Sequence, residues 1–525
     1  MRRKQKRVPN LSQGTLPIAL GAAEAERPTS GCSRFQEDRP EHLRIGEQRL
    51  DQYLATRGLG WVVRLRRELE RIDYTPLFTA YDMVGRRPYH PRTILGLVVY
   101  GMLCRQWSLR ELEGLAVRDM GAWWICGGLQ PDHSTIGDFI QRHQAVLTEQ
   151  FFVTLVAGLI RRAQVPAGVV AADGTVVQAA TSQHRLLTLE AAQAAAERAR
   201  AIAAQAPADA AAQLGAARAQ EVATVAQQRV ERRHAAKQHA TTAACVAPSE
   251  PTAVIQRGKD GAQRPSYKPC TLVHEAGLIV AQQVHPSSET AVVPALLDQH
   301  VAAFGVEPPR ALLDAGFHSG ELLQHVSERG IDVLCPPGKP SGMWEKHNGP
   351  RREFGKAAFT HDPIANVYRC PAAQLLRPTQ AGIDREGRAF QSYGGAPCRD
   401  CARRAQCTTS ATGRRVIRYA GDEFKEGMTQ VLQQPAARKQ FRRRRAIVER
   451  PFAELRGRQG LIRFHRRGVL GVRVEFALHC IAFDLKWAVG RGAHAAFAFV
   501  CVVGNPDGVG CTLVAVLFLP SGRPA

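Results

Sequence analysis

Acidic side chains are scarce in this chain: 47 Asp and Glu face 70 Lys and Arg, a formal charge of +23 over 525 residues. A surplus of that size favours a polyanionic partner such as DNA or RNA. A long uninterrupted apolar run is also lacking. The stretch from about Ala493 to Pro520 is apolar, but Gly504, Asn505, Pro506, Asp507 and Gly508 split it into halves shorter than the roughly 18 residues of a spanning helix. No membrane partner is expected, and residues 491–525 read as a hairpin around the NPDG turn or as a non-native read-through extension. The N-terminal stretch imitates a secretory signal, yet Pro17 and Gly21 interrupt it, so residues 1–48 read as a disordered basic arm. The cysteines lack an even count. Thirteen scattered thiols in a chain long enough to build its own cores exclude a disulfide framework and fit a reducing cytoplasm.

At about 150 residues per domain the length implies roughly three units. Residues 49–165 carry apolar positions at three- and four-residue spacing through WVVRLRRELERI, PRTILGLVVYGMLCRQ and TIGDFIQRHQAVL, the pattern of a helical domain. Ser108 with Glu111 and Thr135 with Asp138 have capping-box spacing, compatible with a helix-turn-helix and equally with plain bundle packing. Residues 166–490 switch to α/β signals. A short strand runs to Asp173, an Ala-rich helical hairpin broken at Pro207 is inserted over residues 186–245, and a β-hairpin turns at Glu275, Ala276 and Gly277. A helix over 290–303, the strand ALLD, a helix over 320–329 and the strand DVLCPP follow. The expected fold is therefore multidomain α/β, its element order that of an RNase H-like core, although many α/β folds share parts of that order.

Three acids stand out against the basic background. Asp173 in VVAADGT and Asp314 in ALLDAGFHSG end short apolar runs, while Glu449 lies in the arginine-rich helical stretch RRRRAIVERPFAELR. Carboxylates at strand ends point into the crevice at the edge of an α/β sheet. Two such aspartates with a helical glutamate are what two Mg²⁺ (or Mn²⁺) ions about 4 Å apart require for phosphodiester cleavage. For a single Asp the commoner role is a turn or cap. On a helix Arg445, Glu449 and Arg456 share one face, and Pro451 is expected to kink or end it; an ordinary Arg445–Glu449 surface pair is the plainer alternative.

Taken together these residues resemble the DDE-type transposases of bacterial insertion sequences, in the subgroup carrying YHP (Tyr89, His90, Pro91) and PDHST (Pro131 to Thr135). The resemblance spans about residues 50–490. It assigns Asp173 of Asp-Gly-Thr, Asp314 of Asp-Ala-Gly-Phe-His-Ser and Glu449 as the metal-ligating catalytic acids. The helix motif Tyr-x2-Arg-x3-Glu-x6-Lys falls on Arg445, Glu449 and Arg456, with Arg442 at the Tyr position and Arg in place of Lys. It further implies binding of terminal inverted repeats and target DNA, a homodimer in the DNA complex, and a bacterial, nucleoid-associated cytoplasmic location. A catalytically inactive DNA-binding derivative and an RNase H-like nuclease are the rival functions.

Two more signals complete the sequence. Arg442, Arg445, Arg456, Arg463 and Arg466 form a stripe dense enough to neutralise several phosphates, whereas His318 and His465 are left as DNA-contact or packing residues. Cys370, Cys398, Cys401 and Cys407, in an insertion over 340–435 before the Glu449 helix, could bind a structural Zn²⁺; free thiols in a loop-rich insertion are the alternative.

Overall fold

The computed structural model describes residues 34–81, 87–235, 244–258, 260–338, 354–384, 387–395 and 398–495. The first part of the basic arm, residues 1–33, and the NPDG segment lie outside the described residues. Residues 34–48 do not read as a disordered arm. Phe35 is buried, and Asp38 receives Arg66 at 2.5 Å and Arg92 at 2.6 Å, so buried charge pairing holds this segment on the helices behind it.

The helices expected over 49–165 form, among them Gly60–Glu70, Pro91–Leu103, Leu109–Arg118, His133–Thr148 and Gln150–Ala163. Ser108 and Glu111 close a reciprocal capping box. Thr135 does not start its helix. Asp132 caps it instead, accepting from the Thr135 N–H at 2.8 Å, because a carboxylate one residue before the helix satisfies that orphan donor. The YHP segment works in the same way. His90 accepts the Arg92 N–H through Nδ1, and burial lowers its pKa to about 4, so the ring remains a neutral acceptor.

The helical region is not separately cored. One continuous buried cluster runs from Leu50 and Leu54 through Phe151 and Phe152 to Val170, Leu272, Leu312 and Phe476. Its central sheet runs Ile279–His285, Gln263–His274, Val169–Gly174, Arg310–Leu312, Asp332–Leu334. Gln263–His274 is antiparallel to both its neighbours, and the last two strands run parallel to Val169–Gly174. Short strands Val177–Gln178 and Val254–Arg257 pair with the N-terminal half of Gln263–His274. The helix Gly468–Ala495 closes one face, and its buried Asp484 accepts the Ile279 N–H at 2.9 Å. Burial holds that carboxyl well above its ordinary range.

The Ala-rich hairpin is present as Leu189–Gln205 and Ala210–Ala235, and its small buried cluster is chiefly Ala192, Ala196, Ala223 and Ala226. The cysteine insertion, read from sequence as loop-rich, contains a five-stranded antiparallel sheet: Thr360–Asp362, Val367–Arg369, Leu375–Ile383, Ala389–Gly394 and Val416–Tyr419. Its longest strand, Leu375–Ile383, is exposed at all but one position, so it shows little apolar periodicity. Among the described residues no single helix is long and apolar enough to cross a membrane.

Candidate active site

Asp173 and Asp314, far apart in sequence, meet because their strands are parallel neighbours. Ala171 stands opposite Leu312, so two residues further on Asp173, still paired with Thr271, comes beside Asp314, which lies just past the end of its own strand. Asp173 Oδ1 accepts the Gly174 N–H at 3.0 Å, and Asp314 Oδ1 accepts the Gly316 N–H at 2.8 Å. Between the two carboxylates lies a cation that the sequence did not single out. Arg444 Nη2 is 2.9 Å from Asp173 Oδ1, 3.5 Å from Asp314 Oδ2 and donates to the Ala172 carbonyl at 3.1 Å. Burial raises the Asp173 pKa, the Asp314 charge adds to the rise, and the Arg444 guanidinium opposes it.

A third carboxyl closes the pocket from the side. Glu289 pairs with Lys268 at 3.1 Å and packs so closely on the chain that a Cβ added at Gly174 would lie 2.9 Å from its Cγ and Cδ and 3.0 Å from Cys270 Sγ. A Cβ at Gly316 would meet Asp314 Oδ1 at 3.0 Å and Glu289 Oε2 at 3.5 Å. A side chain at Gly174 would therefore displace Glu289, whereas one at Gly316 would press on the Asp314 carboxylate. Cys270 lies in the same pocket, and burial, followed by the neighbouring Glu289, pushes its thiol well above the usual range. It is a packing group, not a nucleophile.

Glu449 is placed differently from the sequence expectation. The helix Pro435–Ala453 carries it with Pro451 inside rather than at its end, and a π-helical turn, Glu454–Arg458, follows. The wide turn breaks the 3.6-residue phase, so Arg445, Glu449 and Arg456 do not share one continuous α-helical face. Glu449 is 60% exposed and receives Arg445 at 2.6 Å, the plain surface pair. Arg456 instead reaches back to Thr175 Oγ1 at 2.5 Å. Among the described residues no group of three or more His, Cys, Asp or Glu stands in metal-holding geometry, the Asp173, Asp314 and Glu449 set and the four cysteines included.

The remaining arginines divide by exposure. Arg442, Arg445 and Arg463 are exposed, whereas Arg466 is half-buried and burial lowers its pKa. Arg463 donates to the Thr181 carbonyl at 3.3 Å. His465 stacks on Trp107 with centroids 5.0 Å apart, and its Nδ1 lies 3.0 Å from Glu475. His318 lies half-buried with its pKa lowered by burial and by nearby Lys425. Trp107 Nε1 donates to the Gln459 carbonyl at 3.0 Å and Arg105 to Gly457 at 2.7 Å, so the helical region grips the π turn just after the Glu449 helix. Arg444, Lys268 and Glu289 were missed by sequence reasoning. Arg444 stood in a run of four arginines with nothing to mark which one turns inward, and Glu289 had only its place before a helix.

Comparison with known families finds two matches. A family described as Transposase DDE domain matches residues 369–488, covering the cysteines and Glu449, and one described as Transposase domain (DUF772) matches residues 62–142 in the helical region. Over these two segments the chain is similar to transposases, a class that implies DNA as the partner. Neither segment includes Asp173 or Asp314. No curated protein matches the chain.

Proposed function

We propose that the protein is a DDE transposase of an insertion sequence, with an RNase H-like core, that binds the terminal inverted repeats of its element, cleaves there and joins the freed 3′-hydroxyl to target DNA. The observation that carries this reading is the convergence of Asp173 and Asp314 from neighbouring parallel strands onto one guanidinium, at the edge of a sheet in the strand order described above. The two transposase-domain matches support it from other residues.

Two neighbouring aspartates are hard oxygen donors of the kind a divalent cation takes, and the Cys270 thiol, held neutral, does not compete; Glu289 is engaged by Lys268 and does not complete a three-carboxyl cage. Asp173 and Asp314 would hold Mg²⁺ or Mn²⁺, two ions in the full reaction, and such ions would supply activation of the attacking oxygen and stabilisation of the leaving one. Arg444 neutralises the aspartates until then and afterwards is free to meet the scissile phosphate. Arg456, held on Thr175 of the Asp-Gly-Thr turn, places a second guanidinium beside the first catalytic strand. Exposed Arg442, Arg445 and Arg463 supply phosphate contacts along the approach. Glu449 would enter as the third acid only by releasing Arg445, a solvent-screened surface pair, and by turning toward the aspartates when DNA and metal are bound. Two DNA ends joined in one assembly require a homodimer, acting at the bacterial nucleoid.

The exposed position of Glu449 favours one second reading, a DNA-binding derivative without catalysis. The test is Mg²⁺- or Mn²⁺-dependent cleavage of a DNA fragment carrying the element's flanks, comparing wild type with Asp314→Ala at matched low salt. Cleavage by wild type at the repeat boundary, with the variant binding but not cutting, supports the transposase. Binding without cutting by both supports the derivative, and cutting without strand transfer or preference for the ends supports a nuclease.

A further inference from the structure

The cysteine insertion has too little core to explain its order. Its buried apolar cluster is Phe359, Tyr368, Leu376, Tyr393 and Val416, while the long strand Leu375–Ile383 is exposed at all but one position. A unit of that size is ordinarily stapled by disulfides or by a metal. Cys370, Cys398, Cys401 and Cys407 are all free, and all four line one cavity of about 20 Å³, room for a single small ion, together with Phe354, Leu376 and Arg414.

The local backbone is that of thiolate loops. Cys370 Sγ accepts the Gln374 N–H at 3.3 Å across a tight turn in which Ala373 takes a left-handed φ of 59°. Cys398 and Cys401 form a C-x-x-C loop, and Gly413, at φ 93°, leaves no room for a side chain, because a Cβ there would lie 2.6 Å from Cys398 Cβ. Cys407 ends the one-turn helix Arg404–Cys407. Arg414 Nε, in the cavity wall, is buried with no hydrogen-bond partner, and a thiolate is the acceptor it lacks.

We propose that Cys370, Cys398, Cys401 and Cys407 bind one structural Zn²⁺, which takes the place of a core for residues 354–419. The four cysteines line the cavity without standing at ligand spacing, so the proposal requires the 370–374 turn and the 398–401 loop to close on the ion. Four thiolates leave no open position, so the ion does no chemistry on DNA. Its effect passes to the catalytic region through the helix Asp422–Val431. Lys356 pairs with Asp422 at 2.5 Å, Arg418 with Glu426 at 2.7 Å, and Gly421 packs so tightly on Gly320 that a Cβ on Gly320 would meet the Gly421 carbonyl at 2.5 Å. Beyond that helix the chain continues directly into the arginine helix bearing Arg444 and Glu449.

The experiment uses the full chain expressed with added zinc, and it does not depend on the transposase reading. Elemental analysis is expected to give about one zinc per chain, with Cys407→Ser and Cys398→Ser losing it and Cys245→Ser retaining it. Co²⁺ substituted into the wild-type protein is expected to give thiolate-to-metal charge-transfer bands and the intense d–d absorption of a tetrahedral site, a readout that holds even where a serine variant fails to fold. Metal-free protein, iron in place of zinc, disulfides among these four cysteines, or an octahedral cobalt spectrum would each overturn the proposal.

Discussion

Replacing Arg444 by Gln tests the electrostatic logic of the pocket without touching a carboxylate. In the metal-free protein the guanidinium stands 2.9 Å from Asp173 and 3.5 Å from Asp314, with side-chain exposures of 14%, 25% and 35%. At an effective dielectric constant of ~20 the gross attraction at ~3 Å is ~5 kcal/mol. Desolvation cancels most of it, leaving about 1.5–3 kcal/mol for a charge-assisted contact, and the exposed Asp314 contact adds little after solvent screening. A net loss of about 2 kcal/mol corresponds to a drop of about 2 °C in apparent melting temperature for one continuous core running from Leu50 to Phe476. A divalent cation bound by the aspartates replaces the missing charge. Saturating Mn²⁺ should therefore raise the melting temperature of Arg444→Gln more than that of wild type, bringing the two together. The assay is differential scanning fluorimetry across a Mn²⁺ titration. Equal Mn²⁺ shifts in the two proteins, or a metal-free variant that melts with wild type, would refute the reasoning.

The same pocket sets a pH dependence. Burial and Asp314 raise the Asp173 pKa, so its carboxyl stays protonated to a higher pH than a free aspartate, and metal binding, which needs the ionised form, is gained only as pH rises through that raised value. The acid limb of the cleavage rate should lie above the ordinary aspartate range and move higher still in Arg444→Gln, since Arg444 opposes the rise; a limb unmoved by the substitution contradicts the assignment. Gly174→Ala should cost about 1–3 kcal/mol in stability and at least tenfold in cleavage while DNA binding persists, because the new methyl strikes Glu289 and Cys270; full activity would mean that the Glu289 wall is not part of the site. Arg66, 3% exposed, holds Asp38, Glu70 and the carbonyls of Trp124 and Ile125, so Arg66→Met should destabilise the helical region by about 3–5 kcal/mol, read as accelerated proteolysis between residues 34 and 165.

Local signals were legible in the sequence because local physics fixes them. The apolar strand before Asp173, the capping box at Ser108, the Ala-rich hairpin broken at Pro207 and the turn at Glu275 to Gly277 each depend on residues within a few positions of one another. The identity of Asp173 and Asp314 as candidates was legible for the same reason, as acids ending apolar runs. Their meeting was not. It depends on which strands become parallel neighbours, and residues as far apart in sequence as Ala171 and Leu312 carry no local signal of that pairing. Which arginine of Arg442 to Arg445 turns inward follows from how the arginine helix is docked on the first aspartate strand, and the phase of Arg456 follows from a π turn that no side-chain periodicity announces. Composition determined the charge and the partner class it favours, and spacing determined the elements. Only tertiary packing decided that Arg444 reaches the aspartates while Glu449 stays exposed, because that depends on where the helix seats its buried Ala437, Ile447, Val448 and Pro451 against the rest of the core.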